Sequence, residues 1–187
     1  MKLKFKQTNP DSALESLTGL LESILLVKTA QYEIESDIDL DSNFFQDEKN
    51  YRTFFRIFSE YANPLWPEMW DFSKVPIRKP SERIEGLISI IRSGGAYTDG
   101  QSLSEAQQVE EEFRFRFKGI SPELVILSVV SYEFENDKTK SYSMEMKNLR
   151  ALKKISPWFL QVAWDNLIFI LNPDCNMLYV IAVTDED

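Results

Sequence analysis

The sequence has no histidine and a single cysteine, Cys175. Without histidine, Ser-His-Asp and Cys-His catalysis, histidine metal sites and the usual proton shuttle near neutral pH are excluded. One cysteine excludes an intramolecular disulfide and a cysteine zinc cluster, and Cys175, in an expected turn, reads as a free thiol. Glycine is scarce, and its one adjacent pair, Gly94-Gly95, is followed by neither a dinucleotide fingerprint nor a phosphate-loop lysine. Long apolar runs are missing too. Leu20 to Val27 is broken by Glu22 and Ser23 and is too short to span a bilayer. At the start of the chain Lys2, Lys4 and Lys6 alternate with Leu3 and Phe5, and no apolar stretch of the signal-peptide kind follows directly. These absences predict a soluble, cytoplasmic protein with no cofactor and no membrane partner.

Positive charge is also in deficit. Against 30 acidic residues stand 21 basic ones, a net charge of -9. Nucleic-acid phosphates reward clustered Lys and Arg, so this balance argues against a nucleic-acid partner. It suits a basic protein partner, and it also serves solubility.

What remains is an ordinary globular chain. Its 187 residues, 43% of them hydrophobic, suffice for one core, so a single domain over 1–187 is expected. The most ordered pattern runs from Glu123 to Lys147. Val130, Tyr132 and Phe134 alternate with polar residues, as do Tyr142, Met144 and Met146. An Asn136-Asp137 turn lies between them, which predicts a hairpin with one apolar face. Phe113, Phe115 and Phe117 alternate with Arg114, Arg116 and Lys118 in the same way. That row can pair with Glu133, Glu135 or Glu145 across strands, or face an anionic ligand. Leu167–Leu171 and Leu178–Val183 are apolar on both faces, which predicts a second hairpin at the covered centre of the sheet. Folding at Asp174 opposes Ile170 to Leu178 and Ile168 to Val180.

The first part of the chain reads as mostly helical. Lys2–Gln7 alternates as a lysine-blunted edge strand. Asn9-Pro10-Asp11-Ser12 opens a helix whose apolar spacing, from Leu14 through Leu25, extends to about Tyr32. A second helix spans Glu48 to Ala62 with Tyr51, Phe54, Phe55, Phe58 and Tyr61 on one side, a stripe that reads as core. Ser81 caps a third, Glu82 to Ser93, closed by Gly94-Gly95. A fourth starts at Ser102 or Ser104, and Ser156–Trp164 is a short helix or an extended segment. The predicted architecture is α+β: three or four mainly N-terminal helices packed on one face of a mostly antiparallel C-terminal sheet of five to six strands.

Three features can carry function. Asp37, Asp39, Asp41 and Glu48 stand at positions 1, 3, 5 and 12 of a calcium-loop spacing. Ser42, however, stands where the sharp turn needs glycine, and Ile38 and Leu40 are apolar, so a short alternating strand or an acidic linker fits better. The proline-punctuated stretch 63–80 carries Trp66 and Trp70, either packed onto the domain or forming a partner-binding patch. The polar row of the 123–147 hairpin, with Glu133, Glu135 and Glu145, is the third, as an acidic contact surface. The function expected is a non-enzymatic protein-binding domain, such as an immunity protein that neutralises a basic toxin. The alternative is a small-molecule-binding domain or a carboxylate-based hydrolase with a pocket between helices and sheet.

Overall fold

The computed structural model describes residues 1–41, 43–62, 71–72, 91–92, 94, 99–108, 111, 125–128, 156–160, 165–173 and 176–185. They form mixed helix and sheet. In chain order the elements are β1 (Leu3–Thr8), α1 (Ser12–Glu22), β2 (Leu26–Ser36), α2 (Glu48–Tyr61), β3 (Val125–Ser128), β4 (Asn166–Asn172) and β5 (Met177–Thr184). The strands make one antiparallel sheet in the order β1-β2-β5-β4-β3. Among the described residues no helix is long and apolar enough to cross a membrane.

β1 sits at one side of this order, as its lysines predict, and its alternation is real: Leu3 and Phe5 are buried, Lys4 and Lys6 exposed. α1 starts where the Asn-Pro-Asp-Ser signal puts it. Asp11 is the cap, its Oδ1 accepting the Ala13 and Leu14 amides at 3.1 and 3.0 Å.

The end of α1 differs from expectation. The helix stops at Glu22 and does not continue to Tyr32. The Ser23 hydroxyl donates to the Leu20 carbonyl at 2.6 Å, and the Ile24 amide turns to Leu21 instead. A serine that satisfies a helix carbonyl locally competes with the next helical hydrogen bond. Leu26–Ser36 then becomes a strand held on both sides, by β1 and by β5. Both periods fit the apolar positions of 24–32, and sheet pairing decides between them.

The two central strands show the second difference. β4 is buried along its whole length, and β5 from Leu178 onward, as their uniform apolarity predicts. Their register is shifted by one residue: Ile170 faces Tyr179 and Ile168 faces Ile181. Just before β5, Asn176 lies in the left-handed region at φ 51. Asparagine tolerates that conformation better than most residues. The Asn176 carbonyl also accepts the Ile34 amide at 2.7 Å, tying the turn to β2.

The helices do not share one face, and the sheet is not purely C-terminal. α2 drives Phe54, Phe55 and Phe58 onto the face built from Phe5, Tyr32, Ile34, Phe169 and Val180. α1 packs Leu14, Leu17 and Leu21 onto the opposite face, against Ile168, Ile170, Ile181 and Val183. A sheet whose middle strands are apolar on both sides needs cover on both sides; α2 supplies it on one, and α1, joined by the helical residues Ile91 and Ala106, on the other.

Of the expected 123–147 hairpin, Val125–Ser128 is described. It pairs with β4 at the far side of the order from β1; 129–147 and the 113–118 row lie outside the described residues. Most of the expected third helix lies outside them as well. Its end is present: Ile91 and Arg92 are helical, and Gly94 has φ 67, the left-handed value that closes helices. The helix at 103–108 opens with a capping box, Ser102 and Glu105 exchanging hydrogen bonds at 2.6 to 3.3 Å. At 156–160 the chain is a turn and not a helix. The Ser156 hydroxyl oxygen accepts the Trp158 amide at 3.1 Å, and 161–164 lie outside the described residues.

Candidate functional site

The acidic connection between β2 and α2 is the expected site feature that the structure describes. Two apolar side chains pin it. Leu40 and Phe45 are each 2% exposed and join the core under α2, where the Phe45 ring meets Phe54 at 5.1 Å. Between these anchors and the end of β2 the backbone turns outward, and Asp37, Ile38 and Asp39 are exposed. The Ser36 hydroxyl braces the bend, donating to the Ile38 carbonyl at 2.7 Å and accepting its amide at 3.1 Å.

Most of the carboxylates have local work. Asp37 Oδ1 accepts the Lys2 amide at 2.7 Å, and that hydrogen bond holds its carboxyl below the usual aspartate range. Asp41 accepts the Phe44 amide at 2.8 Å and the Asn43 side-chain amide at 3.2 Å. Asp47 caps α2 through the Lys49 amide at 2.8 Å. Glu48 pairs with Arg52 at 2.7 Å. The loop follows a strand and not a helix, so the helix–loop–helix setting of a calcium loop is absent here. Among the described residues no group of three or more acids, cysteines or histidines is placed to hold a metal ion. Asp39 projects from the bend with no hydrogen bond or ion pair among the described residues. What the loop offers chemically is fixed negative charge around an exposed isoleucine.

Next to it the β1–β2 ladder is closer to neutral. Lys4 meets Glu35 at 2.8 Å and Lys6 approaches Glu33 at 3.8 Å, each at its cross-strand position. The hydrogen bond from Lys4, reinforced by its charge, holds Glu35 below the ordinary glutamate range and raises Lys4. Such exposed pairs add little stability. On the outer side of α2 an open depression of about 590 Å³ is lined by Asp47, Glu48, Lys49, Arg52, Thr53 and Arg56. Arg52 is held by Glu48, and Arg56 by Glu60 at 3.3 Å.

The other expected site residues, Trp66, Trp70, Glu133, Glu135 and Glu145, lie outside the described residues, as does Cys175. Two polar contacts escape sequence reading. Asp165, fully buried before β4, accepts a hydrogen bond from the Thr184 hydroxyl at the end of β5. Asp11 uses its second oxygen to accept the Tyr179 hydroxyl at 2.9 Å. The one signal for either is a polar residue flanking an apolar run, which does not specify a partner 19 or 168 positions away. Compared with protein-family models, with curated proteins and with solved structures, the chain matches none.

Proposed function

We propose that the protein is a non-enzymatic binding domain that captures a basic protein partner through acidic surface. An immunity protein that neutralises a basic toxin in the cytoplasm is the concrete form. The observation that carries this reading is the loop from Asp37 to Glu48. Leu40 and Phe45 anchor it in the core, while Asp37 and Asp39 face solvent on either side of Ile38. A loop held in one conformation loses less entropy on binding, and like charges set before docking speed encounter with an oppositely charged surface. The net charge of -9 adds a long-range field of the same sign. In the same reading Trp66 and Trp70 supply apolar contact area, and Glu133, Glu135 and Glu145 extend the acidic surface.

The test is to mix the purified protein with any basic, toxin-like protein encoded beside its gene and follow association at increasing salt. A complex whose association rate falls steeply with salt supports the proposal. No complex at low salt overturns it.

A further inference from the structure

We draw no further inference here: the strongest candidate, the open depression on the outer side of α2 between Asp47 and Arg56, carries nothing, because Glu48 and Glu60 already pair its two arginines and nothing in the structure shows what covers it.

Discussion

The two faces of the sheet are closed by different means. Under α2 the cover is a lattice of rings. Phe58 alone touches Phe5 at 5.1 Å, Tyr32 at 5.0 Å and Phe72 at 5.0 Å, and Phe55 lies 4.6 Å from Phe169. Under α1 the cover is aliphatic, Leu14, Leu17 and Leu21 on Ile168, Ile170, Ile181 and Val183, with Tyr179 the one ring among the described residues. A polar tie supplements it, from Tyr179 through Asp11 to the first turn of α1. Ring pairs add edge-to-face attraction of about 0.5–1.5 kcal/mol beyond burial. Aliphatic contacts fix position by shape alone, so a hydrogen-bonded cap that also grips the sheet has more to contribute on that side. With both faces committed to packing, the proposed recognition is left to the loops and the ends of the sheet.

Substitutions on the two faces separate these effects. Phe58→Ala removes the ring shared by most of the lattice and is expected to cost about 4 kcal/mol, read by chemical denaturation. Leu17→Ala, equally buried on the other face, is expected to cost about 3 kcal/mol. If Leu17→Ala proves the more damaging, the ring lattice is not the stronger of the two covers. Asp11→Ala is next, at about 2 kcal/mol, because it takes away both the helix cap and the acceptor of the Tyr179 hydroxyl. Asp47→Ala removes a cap with no tie to the sheet and is expected to cost about 1 kcal/mol. Equal losses for the two caps would mean that the Tyr179 contact contributes nothing.

The smallest effect belongs to the exposed ladder. Glu35 has its carboxyl lowered by Lys4, so its contribution is present above the ordinary carboxylate range and is lost as pH falls through the lowered value. Nuclear magnetic resonance titration should show the Glu35 midpoint below that of an ordinary glutamate. Lys4→Met should move it back up while leaving the thermal midpoint unchanged. An unmoved midpoint would mean that the pair does not form in solution.

The same contrast explains what was readable from sequence. β1 and α2 were legible because each has one wet side. The Lys4/Lys6 row and the Arg52/Arg56 row mark solvent, and the opposite rows mark the core. β4 and β5 were legible as strands and as a covered centre, yet their register was not. With apolar residues on both faces, a slip from Ile170–Leu178 to Ile170–Tyr179 exposes no polar side chain, so only the turn decides. The end of α1 was hidden because Leu25, Lys28 and Tyr32 keep helical spacing into what is in fact β2. The predicted architecture has its helices on one face, and the distribution of α1 and α2 to opposite faces corrects it: strands apolar on both sides need cover on both, and which helix covers which face is a tertiary outcome. The acidic loop was visible as composition. Of its anchors, Leu40 reads as an apolar interruption of a calcium spacing and Phe45 is not singled out by the pattern, although burying them is what holds the loop.

The proposed division of labour, with stability in the two covered faces and recognition in the acidic loop, is tested most directly by charge reversal at Asp39. Stopped-flow association with the proposed basic protein partner should slow on the order of tenfold for Asp39→Lys at low salt, with an unchanged unfolding midpoint. Association as fast as that of the unaltered protein would contradict the assignment of recognition to this loop.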